Sequence, residues 1–504
     1  MVYQEVELKV NSLLKVRIKY KRKEKDMKKV LSYVILLVAV FCLVGCKPTN
    51  SNTGKIAEDN YTVETVENLK AQPEDSVKIT FRVPFGATIL DVINEYKDEF
   101  ETEYPSVSIK VEVISGYDQM KSATVQDING GTAPTMSVGY PDHFAEYLIS
   151  KSLIALDKFI NDPNVGYTEE ELKDFLPGYI QENRQFDKIG TYVGLPFNKS
   201  TEALYYNVEF FEEFNLKVPE TWDEYKETSK KIMEIVSTLE DDTYSWLPNV
   251  KKNLANKEFI PCLVDSGGNM FTTIAHQFGG EYTSSIYKST GLVDVQRGSY
   301  TFNTSTKTIE GLTFFQDLAK EGLINMPDVW ELQHGSSAFC SGKVVMNIGS
   351  TGGSSYYSTA KCTVGVAPIP YYSADKKFVI QQGTNVCIFS QASDLEKLAA
   401  WLFIKHMLTT ENTEKFAEAT GYMPVRSSAY EMDAYKEFVE GVKLSAIVQK
   451  ATTAYASNGW NYFVDAAWAG SSNVRTECET ALSTILVDKA DIKKALDDAV
   501  KRIG

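Results

Sequence analysis

Hydrophobic positions along this chain change their period several times, and each change predicts an element. Val77-Lys78-Ile79-Thr80-Phe81-Arg82-Val83 alternates with period two, as a strand with one covered face does. Beyond it Ile89, Val92, Ile93, Tyr96 and Phe100 recur at helical spacing, and after Pro105 a second alternation runs from Val107 to Val113. Strand, helix and strand in that order make a βαβ unit, which calls for a parallel sheet and places the chain in the α/β class. The same alternation predicts short strands at 193–195, 203–206, 343–348 and 363–367, and an amphipathic helix over 394–408.

The N-terminal apolar run is of a different kind. Residues 30–43 are almost wholly apolar and follow Lys28 and Lys29. At about 14 residues the run is shorter than the ~20 that cross a bilayer, so it reads as the hydrophobic region of a secretory signal. It ends in Leu43-Val44-Gly45-Cys46, which resembles the lipobox of bacterial lipoproteins and makes Cys46 the expected lipidation site. A buried cysteine closing a short helix is the competing reading, but Lys47-Pro48-Thr49-Asn50 is too polar to continue one. The expected divisions are therefore a non-native leader over 1–26, a signal peptide over 27–45, and a lipid anchor with a flexible polar tether over 46–76.

Composition narrows the class. With 43% hydrophobic and 24% charged residues the chain is globular, and about 430 residues beyond the tether exceed one core, so two lobes are expected. The net charge is −15; residues 1–45 hold 10 Lys/Arg and 4 Asp/Glu, so the rest carries 42 basic against 63 acidic residues, near −21. That balance argues against nucleic acid and anionic lipid as partners. Cys262, Cys340, Cys362, Cys387 and Cys478 are widely spaced and odd in number, and read as buried free thiols. His143, His276, His334 and His406 lack paired-ligand spacing, so neither metal nor cofactor is expected. No nucleophile elbow, phosphate-binding loop or dinucleotide fingerprint sits in a fitting context, so the chain is not read as an enzyme. A secreted hydrolase of glycosides or phosphate esters, and a ligand-sensing module for a membrane kinase, remain as alternatives.

Three stretches carry candidate binding chemistry. The Gly/Ser-rich turn at 349–355 follows a predicted strand and precedes a predicted helix, where backbone N–H groups and hydroxyls can hold an oxyanion; such a turn can equally be only a turn. Arg475 is placed in the first turn of a helix capped by Ser472 or Asn473, opposing the helix dipole by roughly 0.3–1 kcal/mol. Its partner is either an anionic ligand or a neighbour such as Glu477 or Glu479. Around 455–463 many rings stand among small residues; Trp460 and Tyr462 are the candidates for stacking on a ligand, and core packing is the alternative, above all for Phe463.

Four segments, in order, carry a resemblance. They are Gly130-Gly131-Thr132-Ala133-Pro134; Leu195-Pro196-Phe197-Asn198 through Leu204-Tyr205-Tyr206-Asn207 and on to Pro219-Glu220-Thr221-Trp222; Phe339-Cys340-Ser341-Gly342-Lys343-Val344-Val345-Met346; and Thr420-Gly421-Tyr422-Met423-Pro424. Together they resemble the family 1 extracellular solute-binding proteins of sugar-type importers over almost all of 77–504. The resemblance implies the type II periplasmic-binding fold, two α/β lobes joined by hinge crossings near Tyr205, after Gly342 and near Asn385. It assigns 77–200 plus 343–385 to the first lobe and 201–342 plus 386–504 to the second.

Within that family the chain is similar to the glycerol-3-phosphate-binding type. Tyr117, Ser200, Ser350, Gly383 and Tyr422 match its ligand-contacting positions, and Arg475 its phosphate-facing arginine. Two positions depart: the pocket glutamate is replaced near Pro141, and a tryptophan expected close to Gly268 is absent. The function implied is a monomeric, lipid-anchored protein on the extracellular face of the cell membrane. It would take a carbohydrate or glycerol-phosphate-type ligand by clamp closure and pass it to ABC permease subunits.

Overall fold

The computed structural model describes residues 57–240, 243–284, 295 and 298–504. Two sheets organise them. The first contains β1 (Val77–Val83), β2 (Val107–Val113), β3 (Met136–Gly139), β4 (Leu195–Ser200) and β12 (Gln382–Ile388), in the order β2-β1-β3-β12-β4. β1 runs parallel to both β2 and β3, whereas β12 is antiparallel to both β3 and β4. The second contains β5 (Glu202–Asn207), β6 (Cys262–Val264), β9 (Met346–Ser350) and β10 (Val364–Ala367), in the order β10-β5-β9-β6. Two small pairs complete the strands: β7 (Thr283–Ser284) with β8 (Ser299–Tyr300), and β11 (Phe378–Ile380) with β13 (Asn461–Phe463).

Each sheet is covered by helices whose apolar faces supply its core. The helix Ala87–Glu103 buries Val92, Ile93, Tyr96 and Phe100 at helical spacing, and Asp394–Met407, closed at its start by a Ser393/Glu396 capping box, buries Trp401 and Phe403 against the first sheet. Trp401 stacks on Phe159 with ring centres 5.4 Å apart. In the second lobe Trp222, the first residue of a helix with its own Thr221/Glu224 capping box, meets Phe315 edge-on at 4.6 Å and donates from Nε1 to Gln277 at 2.8 Å.

The chain passes between lobes three times: through Thr201 between β4 and β5, through Gln381 between β11 and β12, and in the stretch following Tyr422 that leads to the helix Leu444–Ser457. This division differs from the one expected. β9 and β10 pair with β5, so residues 343–367 belong to the second lobe, and the helices Asp394–Met407 and Thr410–Thr420 pack on β1 and Ala87–Glu103 in the first. Chain order cannot reveal this, because strand pairing is set by which apolar faces meet.

The tether also ends earlier than expected. Ala57, Tyr61 and Leu69 are buried, Tyr61 donates its hydroxyl to the Ala155 carbonyl at 2.7 Å, and a short helix at Val66–Lys70 is capped by Thr65. Apolar residues scattered through a polar stretch thus anchor 57–76 to the first lobe. Cys46, the leader and the signal segment lie outside the described residues. Of the five free cysteines, Cys262, Cys387 and Cys478 are buried, while Cys340 and Cys362 are only half-buried. Among the described residues no helix is long and apolar enough to cross a membrane.

Candidate functional site

A cavity of about 460 Å³ opens between the lobes, lined from both sides. The first lobe contributes Tyr117 at the start of the helix Tyr117–Gly130, Tyr140 and Asp142 at the start of Pro141–Ile149, Glu182, and Ser200 at the end of β4. The second contributes Asp265 just beyond β6, Asn269 in the helix Gly267–Phe278, Ser350 at the end of β9, and Arg475 and Glu479 from Ser471–Leu486. Strand ends and helix starts converge here because lobe crossings and βα turns gather at one edge of each sheet.

Six sequence-derived candidates line the cavity: Tyr117, Ser200, Ser350, Gly383, Tyr422 and Arg475. Trp460 and Tyr462 do not. Trp460 packs edge-on against Tyr455 at 4.9 Å and Tyr371 at 5.9 Å, and Tyr462 lies on β13, held by its pairing with β11 away from the cavity wall. Phe463 stacks on His276 at 3.8 Å, which is packing within the second lobe. The rings that face the cavity are instead tyrosines. Tyr117 and Tyr140 sit 4.8 Å apart, and burial pushes both phenols well above their ordinary range, so they remain neutral hydroxyls. Tyr356, 58% exposed, also lines the cavity and stacks on His334 at 5.1 Å.

Arg475 differs from expectation in place and partner. Its helix begins at Ser471 after Gly470, which sets it in the second turn. Neither Glu477 nor Glu479 pairs with it: Glu477 holds Arg502, and the Arg475 Nη1 meets Asp465 Oδ2 at 2.5 Å while Nη2 donates to Asn269 Oδ1. Burial works against the guanidinium charge, but Asp465 keeps it firmly protonated; burial likewise raises the Asp465 carboxyl against the pull of Arg475. The missing tryptophan near 268 follows from the same packing. A Cβ on Gly268 would stand 3.1 Å from Arg475 Cγ and 3.3 Å from Nε, so the arginine shaft occupies the space a larger residue needs.

The turn after β9 also departs from expectation. It forms a short 3₁₀ helix, Thr351–Tyr357, and Ser350 Oγ accepts from the Gly352 N–H at 3.2 Å, so the serine caps its own turn.

Behind the wall lies a polar network on the crossing strands. Lys199 Nζ, wholly buried, reaches both oxygens of Glu182 at 3.1 Å and the Gly383 carbonyl at 3.3 Å, and Asn385 donates to Glu182 at 2.9 Å. Burial lowers the Lys199 ammonium below its ordinary value, with Glu182 opposing. Across the Thr201 crossing, Glu202 is buried and accepts from Asn269; burial pushes its carboxyl up to about 7. Asp265 accepts from the Gly335 N–H and from Asn347 at 2.9 Å, and burial raises it too. Sequence reading missed Asp265, Asp465, Glu202, Tyr140 and Tyr356, since no spacing marks single acidic or aromatic residues from separate elements. Among the described residues no cluster of His, Cys, Asp and Glu is arranged to hold a metal.

Comparison with known proteins places this geometry. The sn-glycerol-3-phosphate-binding periplasmic protein of Rhizobium meliloti is 25% identical over 347 residues, covering 67% of this chain and 72% of that protein. Its counterpart from Yersinia pseudotuberculosis is 22% identical over 423 residues, covering 81% and 88%. Among solved structures, UgpB of Mycobacterium tuberculosis in complex with glycerophosphocholine aligns with a TM-score of 0.66 at 18% identity, over 84% of this chain and 97% of that one. A substrate-binding protein of Listeria monocytogenes in complex with cycloalternan aligns at 0.67 and 15%, over 85% and 98%. These likenesses show the fold, the two-lobed periplasmic-binding architecture. The family model described as bacterial extracellular solute-binding protein matches residues 95–443, more than half of the sequence, and the chain belongs to that family.

Proposed function

We propose that this solute-binding protein takes a small polyhydroxyl ligand of the carbohydrate or glycerophosphate class into the interlobe cavity. It then presents that ligand to ABC permease subunits from a monomeric form anchored to the membrane at Cys46. The observation that carries the reading is the cavity itself: about 460 Å³, within the range of small-molecule sites, walled by tyrosine rings, hydroxyls and carboxylates from both lobes. Rings suit the C–H faces of a sugar, and carboxylates accept from its hydroxyls. Relatives whose names and bound ligands are glycerophosphates or oligosaccharides support the same class.

A thermal-shift panel of glycerol phosphates, glycerophosphodiesters and mono- and oligosaccharides tests it. A ligand at ~100 times its dissociation constant adds about 2.7 kcal/mol of stability. A panel without any shift, together with turnover of a model glycoside or phosphate ester by the purified chain, would replace this reading with a hydrolase.

A further inference from the structure

The cation that a phosphate-bearing ligand would need is already engaged. Arg475 is the one arginine or lysine lining the cavity among the described residues, and one N–H of each of its terminal nitrogens is given to Asp465 and to Asn269. Lys199, the next cation behind the wall, is closed off by both oxygens of Glu182. Asp142, Asp265 and Glu479 also face the cavity, and none has a lysine or arginine within ion-pair distance among the described residues. A phosphate dianion would enter beside these carboxyls and have to share the guanidinium with Asp465, which already offsets its charge. An uncharged polyol meets no such opposition: the same carboxyls accept its hydroxyls, and the exposed Tyr356 ring in the cavity lining offers apolar surface to its C–H groups.

We infer that Asp465 is the specificity-determining residue of the cavity: by occupying Arg475 it turns away phosphate-bearing ligands and leaves the site to uncharged polyhydroxyl ones. This rests on the solute-binding reading above. It also accounts for one of the chain's departures from the phosphate-binding pattern, since Gly268 makes the room in which Arg475 lies back toward Asp465.

The test is calorimetric titration of sn-glycerol 3-phosphate into the parent chain and into Asp465→Ser and Asp465→Asn, with melting curves to confirm that each variant folds. Two replacements are used because Asn keeps an oxygen that can still accept from Arg475, whereas Ser withdraws it. Freed from its carboxylate, Arg475 should bind the phosphate about tenfold more tightly or better in Asp465→Ser, with a smaller gain in Asp465→Asn. A loss of packing alone would lower affinity for every probe and cannot produce that gain. The inference is overturned if the parent binds glycerol 3-phosphate as tightly as the serine variant, or if neither binds it. In either case a thermal shift of the parent with a neutral sugar leaves the solute-binding reading standing, so the two can fail separately.

Discussion

Gly383 and Asn198 approach so closely across the β12–β4 pair that a Cβ on residue 383 would fall 1.9 Å from the Asn198 carbonyl oxygen. Gly383 also holds φ at +96°, a conformation that side chains strain to adopt. Gly383→Ala should therefore cost about 2–4 kcal/mol, seen as a lower urea midpoint with an unchanged slope. A variant with the parent's midpoint would show that the strand pair yields freely at this point.

The Lys199–Glu182 pair predicts a non-additive result. Glu182→Gln strands a buried ammonium and should cost about 3–5 kcal/mol, whereas adding Lys199→Met to it should recover part of that loss. Denaturant curves of the two singles and the double measure the coupling. Strict additivity would mean the pair contributes nothing as a pair.

Glu202 makes a prediction about pH. Its folded carboxyl is raised from an ordinary 4.5 to about 7, chiefly by burial, with Asp265 adding and Asn269, Ser266 and Arg475 opposing. The folded state then holds its proton more tightly than the unfolded chain, so stability from this group is complete below pH 4.5 and is lost as pH rises to about 7. The loss is on the order of 2–3 kcal/mol. Glu202→Gln should remove that dependence: its melting temperature, compared with the parent's across pH 4.5 to 7, should show a difference that widens as pH rises. Parallel curves would place the Glu202 proton elsewhere.

The anchor proposed at Cys46 is open to a direct test. Cys46→Ala should release the protein from the membrane fraction with an unchanged melting curve, because the buried cores among the described residues are built from Ala57 onward. Continued sedimentation with membranes would remove Cys46 as the anchor.

Local periodicity was legible where each element reports on itself. β1, β2 and the helix between them stand where alternation and helical spacing put them, and the helix at 394 starts at its capping serine. Lobe membership was not legible: β9 and β12 are both short, almost wholly buried strands of mixed composition, and only their partners, β5 for one and β3 and β4 for the other, assign them to different sheets. At the cavity, positions embedded in motifs, such as Tyr117, Ser350 and Tyr422, could be found in advance. Asp465 could not, because what singles it out is a guanidinium ten positions later that packing folds back onto it. Trp460 and Tyr462 misled for the related reason that ring-rich composition is the same for a wall and for the packing behind it.

Because β12 is inserted between β3 and β4, the first sheet lacks the strand that joins β4 to the rest until residue 388 is available. The strands on either side were laid down some two hundred residues earlier. A chain that becomes available from its N-terminus onward thus has an open seam in its leading half, with one edge each of β3 and β4 waiting for β12. Closing that seam is a long-range pairing, of the kind that makes folding slow and leaves exposed edges prone to sticking. Until that pairing forms the chain passes through a vulnerable interval, and substitutions that shorten it, by stabilising β12 in its slot, should raise the yield of folded protein more than they raise the melting temperature.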